Sequence, residues 1–194
     1  MSFVFFGAGA TLVFLKQSPW LWLSLLLFPL VMLGMSFTNR SASNRRHLRY
    51  QRQACRVLSK LPLLRDDAAR LVYLRKINPY VFEEVLLTAF SRQGYRIKRN
   101  PRYSGDGGTD GQVWISGARW LIQAKRFSSC IQSSHVRDFA ELIHREQCRG
   151  FFVHTGRTGE ISREALSASP GIRLISGGCL LKLLSGNPGW QSRD

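Results

Sequence analysis

The feature that most limits how this chain can fold is an uncharged apolar segment near its start. Residues 20–37 (WLWLSLLLFPLVMLGMSF) contain no charged side chain, and a helix needs about 20 such residues to cross a bilayer. Trp20 and Trp22 lie at one end of the segment, where aromatic rings favour the membrane interface. Pro29 would interrupt a soluble helix but is tolerated in a spanning one. The segment therefore predicts a membrane anchor within residues 1–38.

A second apolar stretch, residues 3–15, precedes this segment. It is short for a span, so the sequence leaves open either one transmembrane helix or a hairpin of two. No basic residue precedes the apolar run, which disfavours a cleaved signal peptide. Arginine-rich flanks stay on the cytoplasmic side of a membrane. We therefore expect a bacterial-type inner (cell) membrane location, with the domain after the anchor in the cytoplasm.

Basic side chains are in large excess and unevenly distributed. The 194-residue chain carries 28 Lys and Arg against 12 Asp and Glu, a net charge of +16. This balance suits phosphate, in nucleic acid or in anionic lipid headgroups, and disfavours an acidic macromolecule as partner. We interpret residues 39–77 as a basic juxtamembrane linker whose cations bind lipid, lie along nucleic acid or are simply solvated. Four scattered cysteines without a CxxC pair indicate reduced thiols.

Residues 78–184 show the alternation of helical and strand patterns typical of a single mixed α/β domain. Asn78-Pro79 marks a helix start, and apolar side chains follow at helical spacing. The patterns then predict three strands, a helix, a buried strand, a helix, a short strand and a last apolar turn or helix. Residues 185–194 read as a loose tail, with Trp190 packed on the domain.

Polar side chains interrupt the apolar pattern of two consecutive predicted strands. Asp110 starts one strand after a glycine-rich loop, and Gln123 and Lys125 lie two residues apart on the next, so they point to the same face. A tight turn, predicted at Gly117-Ala118, joins the strands, which lets the three side chains converge. A carboxylate and an amide oxygen suit Mg²⁺, and a lysine beside them suits phosphodiester hydrolysis. The alternative is a partly buried Lys–Asp ion pair without activity.

Ordered motifs along residues 78–184 carry a more specific signal. They are Asn78-Pro-Tyr-Val-Phe-Glu83, Gly105-Asp-Gly-Gly-Thr-Asp110, Gln123-Ala-Lys-Arg126, His135-Val-Arg-Asp-Phe139, Arg149-Gly-Phe-Phe-Val-His-Thr155 and Ile172-Arg-Leu-Ile175. This part of the chain resembles the Mrr-type restriction endonuclease domain of the PD-(D/E)xK nuclease superfamily. The resemblance implies a restriction-endonuclease-like αβββαβ core with a mixed sheet. It also implies Mg²⁺-dependent cleavage of double-stranded DNA, often methylated or foreign.

The resemblance also implies roles for individual residues. Asp110 matches the metal-binding aspartate and Lys125 the catalytic lysine. Gln123 stands where most of the superfamily has Asp or Glu, a replacement usual in the Mrr branch. Glu83 matches the first-helix glutamate that supports the metal, and Glu84 is the neighbouring alternative. The expected Mg²⁺ ligands are therefore Asp110, Gln123 and Glu83.

Further residues around this site are candidates for DNA contacts. The backbone of Gly107 and Gly108 can approach a phosphate closely, or these glycines only form a flexible loop. Arg126 and Arg102 can contact phosphates, or they belong to a solvated basic face. The histidines, His154 among them, fit no metal-ligand or triad spacing. Double-strand cleavage generally needs two active sites, so a homodimer is one option.

Taken together, these patterns predict a membrane-tethered, Mg²⁺-dependent DNA endonuclease. Two alternatives stay open. One is a catalytically weak or inactive module that holds DNA at the membrane, and the other is a membrane assembly protein of a DNA-transfer or defence complex.

Overall fold

The computed structural model describes residues 27–29, 44–100 and 108–192. By its internal contacts the chain divides into two units, Met1–Arg46 and His47–Asp194. Residues 27–29 are helical, and the rest of the predicted anchor lies outside the described residues. Within the described ranges, no helix combines the length and the apolar character that a membrane crossing requires.

The second unit holds a five-stranded sheet and its covering helices. Helix α1 covers residues 44–60, and its part from His47 onward belongs to this unit. The later elements are α2 (Asp67–Lys76), α3 (Pro79–Arg92), β1 (Arg96–Arg99), β2 (Gly111–Ile115), β3 (Ala118–Lys125), α4 (Ser133–Arg145), β4 (Arg149–His154), α5 (Glu160–Ser167), β5 (Ile172–Ser176) and α6 (Gly177–Ser185), with 3-10 turns at Leu61–Leu63 and Pro188–Gln191.

The strands lie in sequence order, β1-β2-β3-β4-β5. The pairs β1–β2 and β2–β3 are antiparallel, whereas β3–β4 and β4–β5 are parallel. The predicted α/β class with a mixed sheet is thereby confirmed. The end of the sheet at which Arg99 pairs with Gly111 and Lys125 with His154 is called the site end below. Arg96 and Arg149 lie at the opposite end.

The two faces of the sheet carry different helices. Ile122 of β3 belongs to the core cluster that contains the apolar face of α3. Its neighbour Leu121 belongs to a second cluster with Phe139 and Ile143 of α4. Because successive strand side chains point to opposite faces, Gln123 and Lys125 continue the face covered by α4.

Residues 39–77, expected to be a linker, contain two packed helices. Ala54, Val57, Leu58 and Leu61 recur at helical spacing and are at most 5% exposed. Leu74 of α2 joins the same core and is fully buried. The sequence conceals this pattern because the few apolar side chains stand among many arginines. The folded unit therefore begins well before residue 78.

The expected loose tail is also partly ordered. Trp190 is 1% exposed, and its ring meets that of Phe90 edge to face at 5.5 Å between centroids. Its indole Nε1 donates to Oε1 of Gln93 at 2.8 Å. The packing of Trp190 thus agrees with the sequence-based expectation, although the segment around it is not loose.

Candidate active site

A two-residue turn fixes which residues of β2 and β3 face each other. Ser116 and Gly117 have positive φ values of 49° and 79°, the backbone that tight hairpins require. This turn pairs Ile115 with Ala118, and the register then runs back to Gly111 and Ile122. The turn lies one residue earlier than the predicted Gly117-Ala118 turn, and its position sets the register of the site.

Asp110 lies one step beyond this last pair, opposite Gln123. Its backbone N–H donates to the carbonyl of Ile122 at 2.7 Å, which continues the ladder. Its carboxylate Oδ2 accepts a hydrogen bond from the backbone N–H of Ala124 at 2.6 Å. The carboxylate is thus held by the backbone of β3, between the positions of Gln123 and Lys125.

Gln123 presents an unused oxygen at this point. Its side chain is 7% exposed, and its Oε1 has no hydrogen-bond partner among the described residues. A buried amide oxygen without a donor is costly, and here it stands on the strand pair that carries Asp110. An amide oxygen and a carboxylate side by side are hard oxygen ligands of the type that Mg²⁺ accepts. The residues present therefore fit a divalent cation.

Lys125 lies two residues beyond Gln123 on the same face. It is half-buried, and within the described ranges it forms no ion pair. The alternative of a Lys–Asp ion pair at this site is therefore not found among the described contacts.

The first-helix glutamates differ from each other in their surroundings. Glu84 is 1% exposed, and its Oε2 accepts a hydrogen bond from Nε of Arg99 at 2.8 Å. Its Oε1 lies 4.0 Å from Nδ1 of His47. Glu83, which the resemblance favours as a metal ligand, is half-buried and also makes contacts. Glu83 therefore stays a prediction.

Helix α3 approaches the site end closely because residue 111 is a glycine. A Cβ on Gly111 would lie 2.7 Å from Cδ2 of Leu87, so a larger residue would displace the Leu87 side chain from its present position. The strand partner of Gly111 is Arg99, which holds Glu84. The buried carboxylate of α3 is therefore connected, through one arginine, to the strand position next to Asp110.

Within the described ranges, no three His, Cys, Asp or Glu side chains converge in a group that could hold a metal ion. Asp110 and Gln123 do not count as part of such a group, because an amide side chain supplies one of the two oxygens.

His154 is a polar residue of the site end to which the sequence assigned no role. It pairs with Lys125 in the parallel register and is fully buried. Burial lowers its pKa to about 4, so the imidazole is neutral at pH 7. Its Nε2 lies 3.1 Å from Oγ1 of Thr158. In the sequence, the burial of this histidine is indicated by its position at the end of the apolar run Gly150–His154.

The structure describes two of the four predicted DNA-contact residues, Gly108 and Arg126. Gly107 and Arg102 lie outside the described residues. Gly108 has a φ of +88°, a backbone conformation that favours glycine. Arg126 is half-buried, and its guanidinium donates to the carbonyl of Arg75. Arg126 therefore attaches the end of α2 to the domain, and contact with a phosphate stays a prediction for it.

Arg75 completes this attachment from the other side. Its Nε donates to the carbonyl of Thr155 at 2.8 Å. Thr155 follows β4 directly, so the C-terminal end of α2 is bound to the site end of the sheet.

Comparison with known proteins shows the family to which this chain belongs. No curated protein matches the chain. A solved structure titled "Structure of restriction endonuclease FokI" aligns with a TM-score of 0.43 and 14% identity, over 63% of this chain and 27% of that one. The aligned part of this chain thus spans about a quarter of that structure's chain. The Mrr_cat family model, described as a restriction endonuclease, matches residues 74–184. This match covers more than half of the chain, which therefore belongs to the Mrr_cat restriction endonuclease family.

Proposed function

We propose that this protein is an Mg²⁺-dependent, Mrr-type DNA endonuclease that hydrolyses phosphodiester bonds and is tethered to a membrane. The family supports a nuclease and a DNA substrate. The observation that carries the proposal is the placement of Asp110 opposite Gln123, with Lys125 on the same face. Methylated or foreign DNA is the substrate class that we would test first.

Each of these residues has a distinct task in the proposed reaction. Asp110 and Gln123 would hold the cation, with Glu83 as the predicted third ligand. When bound, the metal would polarise the scissile phosphate and lower the pKa of a water ligand. Lys125 would orient the attacking water and balance the negative charge that develops on the phosphate. The hydrogen bond from Ala124 keeps the Asp110 carboxylate in one orientation, so little reorganisation is needed during the reaction.

Removal of the ammonium group tests this assignment. We expect Lys125→Ala to reduce plasmid cleavage by about a hundredfold or more, since one preorganised electrostatic contact contributes roughly that much. DNA binding should change little, because one cation among many is lost. Cleavage by the variant at the wild-type rate would end the assignment. A wild-type chain that binds DNA and gives no product would instead favour a DNA-holding module.

The membrane tether is the second part of the proposal, and it rests on the uncharged residues 20–37. The site would then lie on the cytoplasmic side of a bacterial-type inner membrane, as the arginine-rich flank favours. Extraction of isolated membranes with alkaline carbonate tests it, because integral proteins stay in the pellet. Release of the chain into the supernatant would contradict the proposed membrane tether. A homodimer, suggested by double-strand cleavage, would appear as a doubled mass in detergent.

A further inference from the structure

Four cations of α1 form a continuous strip on the helix surface. Arg49, Arg52, Arg56 and Lys60 follow one another at intervals of three or four residues, which places them on one face of the helix. All four are exposed. We call them the basic stripe. The buried residues of α1 (Ala54, Val57 and Leu58) lie on the other side of the helix and pack into the core. The three arginines of the stripe therefore point away from this core.

No carboxylate neutralises this stripe from nearby in the sequence. The first acidic residues of the whole chain are Asp66 and Asp67, and their carboxylates pair with Arg65 and Arg70 at 2.8 and 2.7 Å. Within the described ranges, the three arginines of the stripe form no ion pair. Neighbouring like charges at these spacings repel and destabilise a helix. Lys60 differs, because its ammonium lies 4.8 Å from the ring centroid of Tyr73.

The length of the stripe suits a polyanion rather than a single small anion. At about 1.5 Å of rise per residue, Arg49 and Lys60 are roughly 17 Å apart along the helix. Duplex DNA carries one negative charge per about 1.7 Å of its axis, so a stripe of this length spans roughly ten phosphate charges.

The beginning of α1 is fixed beside the candidate active site. The ring of Tyr50 lies 5.8 Å from that of Tyr80 on α3. One turn earlier, His47 approaches Glu84, the carboxylate held by Arg99 next to the strand position of Asp110. The stripe thus starts close to the site end of the sheet.

We infer that the basic stripe binds the phosphate backbone of the same duplex that enters the active site. This inference rests on the proposed function. Contacts with phosphate supply affinity and orientation but carry no sequence information, so the stripe would position DNA of any sequence across the site. The stripe precedes residue 74, where the family match begins, so it lies outside the matched region.

A charge-matched pair of triple variants tests the inference in the full chain, held in a nonionic detergent. The stripe variant is Arg49→Gln, Arg52→Gln and Arg56→Gln. The control is Arg92→Gln, Arg145→Gln and Lys182→Gln, in the exposed last turns of α3, α4 and α6. Those helices run away from the site end, so the control cations lie towards the opposite end of the sheet. Affinity for a fluorescent duplex is measured in EDTA over a series of salt concentrations, and unchanged thermal unfolding verifies that each variant folds.

We expect the stripe variant to bind at least about tenfold more weakly at low salt, and its slope of log K against log salt to be shallower by about 3, or roughly one for each lost phosphate contact. The control should keep the wild-type slope within about one. Equal slopes for both variants would overturn the inference while leaving the nuclease assignment intact. A wild-type chain that binds no DNA would overturn the proposed function and the stripe together.

A footprint on Cys55 separates DNA from an anionic bilayer, the other source of phosphate. Cys55 is exposed on α1 between Arg52 and Arg56. Its reaction with a water-soluble maleimide, followed by mass spectrometry, should slow when duplex DNA is added to the full chain in nanodiscs of phosphatidylcholine. Protection that instead requires phosphatidylserine nanodiscs and is indifferent to DNA would overturn the inference in favour of a lipid surface.

Discussion

The helices α1 and α2 and the site end of the sheet share one folded unit but use polar groups in opposite ways. On α1 the cations are exposed, and their apolar neighbours alone contribute to the core. At the site end the polar groups are buried, with Gln123 at 7% and His154 at 0% exposure. Exposed cations stay hydrated and cost less than buried polar groups, even where they repel one another along a helix. Buried polar groups are costly, so their presence at one end of a sheet indicates chemistry.

Burial of side chains from α1 and α2 predicts that these helices stabilise the domain and are not a loosely attached linker. Leu74 of α2 is fully buried, whereas Leu63 is 83% exposed. We expect Leu74→Ala to lower the free energy of unfolding by about 2–5 kcal/mol, because it removes buried methyl groups and leaves a cavity. Leu63→Ala should change it by less than about 0.5 kcal/mol. Urea unfolding of the full chain in detergent, followed by tryptophan fluorescence, measures the unfolding free energy of both variants. Equal effects of the two substitutions would show that residues 39–77 are a linker.

The dependence of stability on pH tests the site end of the sheet, where burial keeps His154 neutral at pH 7. Its pKa is lowered from 6.5 to about 4 in the folded chain by burial. Between these values the unfolded chain binds a proton that the folded chain does not, so stability is lost as the pH falls from about 6.5 towards 4. The loss assigned to this group is up to about 3 kcal/mol, at roughly 1.4 kcal/mol per pH unit.

A matched pair of histidine variants isolates this effect. His154→Gln should remove most of that loss, so its unfolding free energy should depend less on pH than that of the wild type. His144→Gln, at an exposed position of α4, should retain the wild-type dependence. A pH profile of His154→Gln that parallels the wild type would show that this imidazole titrates normally.

The core of the fold was predictable because its signals are local. The patterns of β2 and β3 and a tight turn between them were predictable, but the turn is Ser116-Gly117 and not the expected Gly117-Ala118, and this one-residue difference in register places Asp110 opposite Gln123. The family match agrees with the resemblance found in the motifs of this region.

Three features were not predictable for physical reasons. The packing of α1 depends on a few apolar side chains hidden among arginines, which only a partner surface reveals. Burial of Glu84 rather than Glu83 depends on how α3 rotates against the sheet, and Gly111 sets that approach by contact rather than by sequence pattern. The strand partner of His154 is Lys125 of β3, which is distant along the chain, so the sequence pattern around His154 does not reveal it.

Plasmid cleavage measures whether Asp110 and Gln123 form the metal-dependent hydrolytic site proposed above. Full-length wild type, Asp110→Asn and the control Asp138→Asn, on the exposed surface of α4, are incubated with methylated and unmethylated plasmid in Mg²⁺ and in EDTA. Asparagine keeps an oxygen for the hydrogen bond from Ala124, so the fold should persist. We expect the wild type and the control to cut only in Mg²⁺ and Asp110→Asn to be slower by at least about a hundredfold. Equal cleavage by Asp110→Asn, or cleavage by the wild type in EDTA, would contradict the claim.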